Sequence, residues 1–389
     1  MKEIFLVMVT SEANHNKYYR MIDREDGSGN FEVEYGRVGA NPARKTYSLG
    51  EWDKKYNEKV RKGYVDQTSL FATVSSDDNL KDNIPAIIKE LIELSRKIVR
   101  QNYACNTRNV TQAMIDEAQS VINQLVSETS LLNFNKELER LFGIIPRVMS
   151  NVKDHLAKDK SDFNSIIQNE QQKLDALKSQ VVVNSVQTTN DDEKDDDNLL
   201  GKLGIKVEDV NDPNIISQIK DLLGEERNRF VRAWKVTNEK TEKLFRDNLG
   251  NKQTKLLWHG SRNENWWSIL QTGLVLRPTN VVISGKMFGY GIYFAPKARK
   301  SVGYTSIYGS YWANGNSNKA FMALFECAYG NPLDVYQHNS SYYNYTQSNL
   351  GDKYDCLHAH AGSSLRNDEI IFYKQSSLTI RYLVEIRWF

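Results

Sequence analysis

Apolar and polar side chains follow a period of two through much of the first 75 positions. Phe31–Val38 shows this alternation most clearly, and Ile4–Val9 and Lys17–Ile22 are rich in aliphatic and aromatic residues. Such segments are typical of β-strands. One helix is predicted over Leu49–Lys62, and Gly63 ends it. The pattern therefore predicts a small β-rich domain over residues 1–78.

The hydrophobic period changes to that of an α-helix after this domain. Pro85 suits the first position of a helix, and apolar residues then recur three or four positions apart. Four such stripes begin at Ile87, Met114, Leu138 and Phe163. They predict an all-α helical bundle over residues 82–180.

Residues 181–203 separate the bundle from the rest of the chain, and they include the acidic run Asp191–Asp197. A run of this kind cannot bury a core, so the sequence predicts an acidic, polar linker here. The alternative is a cation site. It is disfavoured because a calcium loop needs ligands at fixed spacing together with a glycine.

Helical and strand patterns are mixed from residue 204 to residue 389, which predicts an α+β domain and makes the whole chain a multidomain α+β protein. Helices are predicted at Asn214–Leu223 and Lys240–Leu249. Strands are predicted at Arg229–Val236, Leu256–Trp258, Ile292–Phe294, Ala320–Tyr329, Glu369–Tyr373 and Ile380–Ile386.

Composition excludes several classes of protein. With 51 basic and 49 acidic residues among 389, any surface that binds nucleic acid must be local. The cysteines Cys105, Cys327 and Cys356 form no Cys-x-x-Cys pair, which argues against a disulfide scaffold and fits a reducing compartment. No stretch approaches the roughly 20 apolar residues of a membrane span. We therefore expect an intracellular, soluble protein with no membrane partner.

Three short patches near the C-terminal end each place one reactive side chain in an apolar or glycine-rich frame. They are Trp258-His259-Gly260-Ser261, Gly289–Ala295 around Tyr293, and Asn367–Tyr373 around Glu369. Glycine after the histidine allows a flat ligand to approach the backbone closely. Aromatic faces suit a planar cation, and a carboxylate among apolar neighbours acts strongly on nearby charge. Together these groups suit the nicotinamide riboside part of NAD⁺.

The three patches resemble the signature of the catalytic domain of the poly(ADP-ribose) polymerases, which carries a histidine, a tyrosine and a glutamate on successive core strands. The resemblance covers residues 204–389 and implies transfer of ADP-ribose from NAD⁺ to proteins, itself included, with no metal required. It makes His259, Tyr293 and Glu369 the catalytic residues. Residues that it implies in NAD⁺ binding are His259, Gly260, Ser261, Arg277, Tyr293, Lys300, Ser301 and Tyr304.

The N-terminal domain resembles the WGR domain, on the basis of Lys17–Arg20 and Tyr35–Gly39. Tyr35 stands where that family usually has tryptophan, so the face available for stacking on a sugar or base is smaller. Eight basic and three acidic residues lie between Tyr35 and Lys62, a local net charge of +5 that suits phosphate binding. The resemblance implies a partner in DNA with breaks or ends, and the alternative is an ordinary solvated helix face. The predicted DNA-binding residues are Tyr35, Gly36, Arg37, Arg44 and Lys45.

The bundle resembles the helical regulatory domain of the same enzymes, which restrains the NAD⁺ site until DNA binds. A simple spacer bundle is the alternative. The whole chain thus resembles a DNA-dependent polymerase of the nucleus, active in the response to DNA damage. Two further readings stay open: a mono-ADP-ribosyltransferase, and a catalytically silent scaffold that binds DNA ends.

One pattern could mislead. His358-Ala359-His360 has the look of a zinc motif, but two histidines two positions apart with no third ligand near them in the sequence make a weak site. A loop or a pair of strand residues is favoured, so the sequence predicts no metal site.

Overall fold

The computed structural model describes residues 1–12, 14–72, 84–188, 199–277, 287–307, 309–310, 313–314 and 317–388. The chain divides into two compact units. The first comprises Met1–Asn79 and Arg96–Ser185, and the second comprises Leu80–Ser95 and Val186–Phe389. Among the helices of the described residues, none combines the length and apolarity that crossing a membrane requires. All three cysteines are free thiols.

The helices and strands of the described residues are numbered in chain order. The helices are α1 (Trp52–Arg61), α2 (Thr68–Phe71), α3 (Ala86–Asn102), α4 (Gln112–Ser127), α5 (Leu131–Ile144), α6 (Phe163–Thr188), α7 (Leu199–Leu203), α8 (Pro213–Leu223), α9 (Glu239–Leu249), α10 (Trp266–Thr272), α11 (Ala298–Val302) and α12 (Gln347–Leu350). The strands are β1 (Lys2–Thr10), β2 (His15–Asp23), β3 (Asn30–Arg37), β4 (Ala43–Ser48), β5 (Val65–Asp66), β6 (Ile205–Asp209), β7 (Phe230–Asn238), β8 (Thr254–Gly260), β9 (Ile292–Phe294), β10 (Gly309–Ser310), β11 (Ala313–Asn314), β12 (Lys319–Ala328), β13 (Pro332–Val335), β14 (Cys356–Ala359), β15 (Glu369–Phe372) and β16 (Leu378–Arg387).

The first unit begins with a five-stranded antiparallel sheet in the order β4-β3-β2-β1-β5. The three long strands and the helix predicted from the sequence are present. Leu6, Met21 and Val33 alternate into one buried face, and Trp52 at the start of α1 packs against it. Strand β4 was not predicted, because most of its side chains are exposed and polar and it forms an edge of the sheet.

Helices of the predicted bundle complete the first unit. Their buried faces follow the stripes read from the sequence, as in α4 and α5. The sheet and these helices share one compact unit, although the sequence analysis placed them in separate domains. Asn16 on β2 explains part of this, since its side-chain amide donates to the carbonyl oxygens of Arg147 (3.1 Å) and Met149 (3.0 Å).

Helix α6 extends into the range assigned to the linker. It continues to Thr188, because Val183 is buried and supports further turns of helix. The C-terminal part of that range, Leu199–Leu203, is helix α7, and its leucines are buried. The acidic run Asp191–Asp197 lies outside the described residues.

The second unit contains two main sheets. One has five antiparallel strands in the order β6-β7-β16-β12-β8, and the other has the order β13-β14-β15-β9. Strand β12 is buried along most of its length, which makes it the centre of the core. Trp258 on β8 and Ala295 after β9 exchange two backbone hydrogen bonds of 3.0 Å, and these join the two sheets. The mixed α+β class predicted for this region is observed.

This arrangement determines where the three predicted catalytic residues lie. His259 is at the end of β8, Tyr293 is in the middle of β9, and Glu369 is the first residue of β15. Strands β9 and β15 are neighbours, with Tyr293 opposite Ile371. Residues 34 and 76 positions apart in the sequence are therefore brought to one place, where the two sheets meet.

Candidate active site

His259 lies in an aromatic environment that keeps it neutral. Its Nδ1 is 3.2 Å from the carbonyl oxygen of Tyr293, and the rings of Trp266, Phe294 and Phe325 surround the imidazole. Burial lowers the pKa of His259 to about 4, and the hydrogen bond with Tyr293 opposes this only in part. At neutral pH the imidazole is therefore uncharged, with its one N–H donated from Nδ1 to the Tyr293 carbonyl oxygen, and Nε2 can accept one hydrogen bond from a ligand.

Gly260 allows the closest approach of two backbone segments in the site. A Cβ atom at this position would lie 1.9 Å from the carbonyl oxygen of Ser301 on α11, so no other residue fits without movement of the backbone. The Ser301 hydroxyl donates to the carbonyl oxygen of Trp258 (3.0 Å). Ser261 accepts a hydrogen bond from the side-chain amide of Asn265 (3.0 Å). The backbone of Gly260 and the oriented hydroxyls of Ser261 and Ser301 form a narrow feature that is named the Gly260 cradle.

Two tyrosines hold the turn that precedes β9. The Tyr293 hydroxyl donates to the carbonyl oxygen of Gly289 (3.0 Å) and accepts from the backbone N–H of Phe288 (3.2 Å). Tyr373 donates to the carbonyl oxygen of Phe288 (2.5 Å). Burial raises the pKa of Tyr293, so its hydroxyl remains a donor. Because that hydroxyl is engaged by its own turn, the part of Tyr293 left for a ligand is the ring.

Glu369 is paired with a lysine. The ammonium group of Lys300 on α11 contacts the Glu369 carboxylate, and both side chains are largely buried. Burial lowers the pKa of Lys300, and the nearby Asp368 carboxylate opposes that shift. The pair places an acidic and a basic group side by side in a weakly solvated region, where each interaction with a ligand is strong.

The two remaining residues of the predicted NAD⁺ set differ in how closely they join this group. The backbone N–H of Tyr304 donates to the Ser301 carbonyl oxygen (3.1 Å), and Tyr304 is near enough to Tyr293 to contribute to the raised pKa of Tyr293. Arg277 is partly buried and follows α10. The residues that directly follow Arg277, 278–286, lie outside the described residues.

Sequence reasoning missed the residues that support this site. Asn265 fixes Ser261, and Trp266 lies edge-on to His259 while its indole N–H donates to the Phe321 carbonyl oxygen (3.1 Å). The signal was present, because asparagine and two tryptophans follow the His-Gly-Ser patch within a few positions.

The predicted DNA-binding residues lie in the first unit, at the end of β3 and the start of β4. Tyr35 is 41% exposed, so its ring is available to a partner. Lys45 lies over the Tyr47 ring (4.9 Å). Arg44 is already bound to Glu34 (2.8 Å) and Glu32 (3.3 Å). These two acidic residues precede the range from Tyr35 to Lys62, so the local net charge of +5 did not include them. The local positive charge is therefore smaller than the sequence suggested.

Comparisons with known proteins identify the family. Residues 214–388 match the family model described as the poly(ADP-ribose) polymerase catalytic domain. The chain is 36% identical over 186 residues to uncharacterized protein 101L of Invertebrate iridescent virus 6, a match that covers 46% of this chain and 77% of that protein.

Two other relatives extend the comparison. The putative poly [ADP-ribose] polymerase-like protein 100L of the same virus is 33% identical over 192 residues, which cover 47% of this chain and 97% of that protein. Poly [ADP-ribose] polymerase 2-B of Oryza sativa subsp. japonica is 26% identical over 331 residues, or 75% of this chain and 53% of that protein. The chain belongs to the poly(ADP-ribose) polymerase family, and it is an NAD⁺ ADP-ribosyltransferase.

Proposed function

We propose that this chain is a DNA-dependent poly(ADP-ribose) polymerase of the nucleus. It transfers ADP-ribose from NAD⁺ to side chains of acceptor proteins, its own included, and releases nicotinamide in response to DNA breaks. The observation that supports this most strongly is the convergence of His259, Tyr293 and Glu369 where two sheets meet, with the Gly260 cradle between them.

The cradle suits the nicotinamide carboxamide. Because position 260 is glycine, the Ser301 carbonyl group packs directly against it, and the backbone of Gly260 supplies both a donor and an acceptor. The hydroxyls of Ser261 and Ser301 are placed beside them. Tyr304 stacks on the nicotinamide ring, and the ring of Tyr293 forms the opposite wall.

His259 orients the other end of the dinucleotide. Its neutral imidazole hydrogen-bonds the adenosine ribose, and the contact with the Tyr293 carbonyl oxygen fixes the ring for that purpose. Arg277 is a further residue that contacts the donor in this proposal. With the carboxamide at Gly260 and the adenosine ribose at His259, the bond between nicotinamide and its ribose lies near Glu369.

Glu369 provides the chemistry. As the bond to nicotinamide breaks, positive charge develops on the ribose, and a carboxylate in a weakly solvated region stabilises that charge. The same carboxylate binds the ribose hydroxyl and activates the hydroxyl of the acceptor. Lys300 positions the carboxylate through the ion pair between them. Repeated use of a ribose hydroxyl as acceptor extends the chain, whereas a mono-transferase would stop after one unit.

The DNA contact surface in this proposal consists of Tyr35, Gly36, Arg37, Arg44 and Lys45. Regulation is supported by a contact inside the second unit. Glu90 near the start of α3 pairs with Lys319 at the start of β12 (2.7 Å), and Lys319 is 3.6 Å from the buried Glu385. In this proposal, DNA binding relieves the restraint on the site by breaking the contact between α3 and β12.

The proposal is tested by incubating the full chain with labelled NAD⁺, with and without nicked DNA, next to a Glu369→Gln control. We expect long labelled polymers on the protein only when DNA is present. Single transferred units would indicate a mono-transferase instead. Equal labelling without DNA would contradict the DNA dependence, and no label under either condition would contradict the proposed reaction.

A further inference from the structure

Three potential metal ligands meet outside the active site. Asp334 on β13 and His358 on β14 are directly opposite each other in a parallel pair, and His360 follows β14. One ligand atom from each residue lies within 4.8 Å of the other two. The third ligand that the sequence lacked near His358-Ala359-His360 is therefore supplied by a strand that lies 24 positions earlier.

The distances fit a tetrahedral ion after small side-chain rotations. His360 Nε2 is 2.7 Å from Asp334 Oδ1, and His358 Nδ1 is 3.8 Å from the same oxygen. Two atoms that each lie about 2.0–2.1 Å from a tetrahedral zinc ion are about 3.3 Å apart. The observed distances lie on either side of this value. Two histidines and one carboxylate are also a ligand set that zinc uses in proteins, with a fourth position for water.

A second carboxylate fixes the tautomer of His358. Its Nε2 is 3.2 Å from Asp368 Oδ2, while Asp368 Oδ1 accepts the backbone N–H of Ala361 (2.8 Å). The hydrogen on Nε2 is thus held by Asp368, which leaves Nδ1 with a lone pair and no hydrogen, 3.8 Å from Asp334 Oδ1. Tyr329 Oη lies 2.8 Å from Nδ1 and donates to that lone pair, so the tyrosine hydroxyl must turn away when an ion binds Nδ1. Histidine ligands of metal ions are commonly oriented by a carboxylate in this way.

The two imidazole rings are also held by stacking. The rings of His358 and His360 are 3.9 Å apart with an angle of 26° between their planes, and Tyr336 covers His360 at 4.4 Å and 7°. Ligands that are already ordered lose little conformational freedom on binding an ion.

We propose that Asp334, His358 and His360 bind a divalent transition-metal ion of the zinc class, with Asp368 as the residue that positions His358. The site lies beside the proposed catalytic residue, because Asp368 directly precedes Glu369 and Ala359 is opposite Glu369 in the sheet. The ion joins β13 to the segment that follows β14 and stabilises this sheet. The inference does not depend on DNA binding or on chain elongation.

The test is titration of Zn²⁺ into the full chain after chelator treatment, with metal content, calorimetry and thermal unfolding as readouts. We expect one Zn²⁺ per chain and a rise in Tm of several degrees at saturation, because an ion that binds only the folded state stabilises it. Replacement of Zn²⁺ by Co²⁺ should give the visible absorption of a four-coordinate ion.

Variants distinguish this site from nonspecific binding. Asp334→Asn and His360→Ala should each abolish stoichiometric binding of Zn²⁺. Because the Asp334 side chain is 45% exposed, its substitution should leave the fold intact. Asp368→Asn should weaken binding about 10- to 100-fold without changing the stoichiometry. The matched control is His15→Ala in the first unit, which should bind as the wild type does. Absence of stoichiometric Zn²⁺, or equal binding by the Asp334→Asn and His360→Ala variants, would overturn the proposal.

Discussion

The Lys300 ammonium group contacts the Glu369 carboxylate, and the two side chains are only 17% and 9% exposed. Lys300 comes from the short helix α11, next to the serine that closes the Gly260 cradle, whereas Glu369 begins strand β15. A buried carboxylate without a partner would be costly, so the lysine stabilises the charged form that the proposed reaction needs. The ion pair therefore connects the segment proposed to bind nicotinamide with the carboxylate proposed to stabilise charge.

Glu369→Gln should separate catalysis from binding. The amide keeps the size of the side chain and a hydrogen-bonding oxygen, but it loses the negative charge that is proposed to stabilise the transition state. We expect kcat to fall by at least about 100-fold, a typical effect of removing such a group, while the Kd for NAD⁺ changes little. Polymer length on gels and NAD⁺ affinity by calorimetry check the two parts.

The control for this substitution is Glu326→Gln. Glu326 is also a strand carboxylate with a cationic partner, Arg381 at 2.7 Å, but it lies outside the candidate site. Its replacement should leave kcat near the wild-type value. Equal losses of NAD⁺ binding and elongation in Glu369→Gln would contradict the role given to the carboxylate.

Gly260→Ala should damage both the fold and the site. The new methyl group would lie 1.9 Å from the Ser301 carbonyl oxygen, so the backbone of β8 or α11 must move. We expect a loss of about 1–3 kcal/mol in the free energy of unfolding, the usual range for overpacking, together with loss of NAD⁺ binding. Thermal unfolding and calorimetry measure the two effects.

Gly143→Ala provides the comparison. Gly143 lies in α5, and a Cβ atom there would meet nothing within 4 Å. Alanine should stabilise this helix by about 0.5–1 kcal/mol relative to glycine, without any effect on NAD⁺. Similar changes of the free energy of unfolding in the two variants would contradict the argument that the close contact at Gly260 excludes a methyl group.

Local patterns in the sequence were sufficient for most elements of the fold. Alternation predicted β3, helical spacing predicted α4, and the His-Gly-Ser patch lies at the end of β8 as expected. Strands β4 and β6 were missed because they are short and mostly exposed, so they lack the buried alternation that marks a strand. Their positions at sheet edges come from pairing partners that no local pattern contains.

Contacts between distant segments were beyond local reasoning. Arg44 lies directly opposite Glu34 across β3 and β4, which is a matter of strand register. Asp334 reaches His358 only because β13 and β14 run parallel, side by side. In both cases the sequence shows the chemical type of each residue. It does not show which distant residue neutralises the charge of Arg44 or adds a ligand to His358.

His259 should make stability depend on pH in the acidic range. Burial lowers its pKa to about 4, below the value near 6.5 expected in the unfolded chain. The unfolded state therefore binds the proton first, so the stabilising effect of the neutral imidazole is present above about pH 6.5 and is lost as the pH falls towards 4. The cost reaches about 3 kcal/mol at pH 4, since each pKa unit corresponds to about 1.4 kcal/mol.

Denaturant unfolding of the wild type and of His259→Gln at several pH values checks this effect. Glutamine does not titrate, so the difference in unfolding free energy between the two proteins should be constant above pH 7 and should shrink as the pH falls. Other histidines contribute equally to both proteins and cancel in the comparison. A difference that stays the same from pH 7 to pH 4.5 would contradict a buried, neutral His259.

Substitutions at the edge of the first sheet should separate true DNA contacts from internal ion pairs, if this surface binds DNA as proposed. Lys45 is not bound to an acidic residue in the described ion pairs, whereas Arg44 is held by Glu32 and Glu34. Lys45→Ala should therefore weaken binding to nicked DNA and reduce the slope of log K against log salt by about 1, the value for one phosphate contact. Arg44→Ala should have the smaller effect, because its charge is already neutralised.

Tyr35→Trp should strengthen binding, since the exposed ring gains stacking area. Fluorescence anisotropy over a range of salt concentrations measures all three, and a larger loss for Arg44→Ala than for Lys45→Ala would contradict this assignment of the surface.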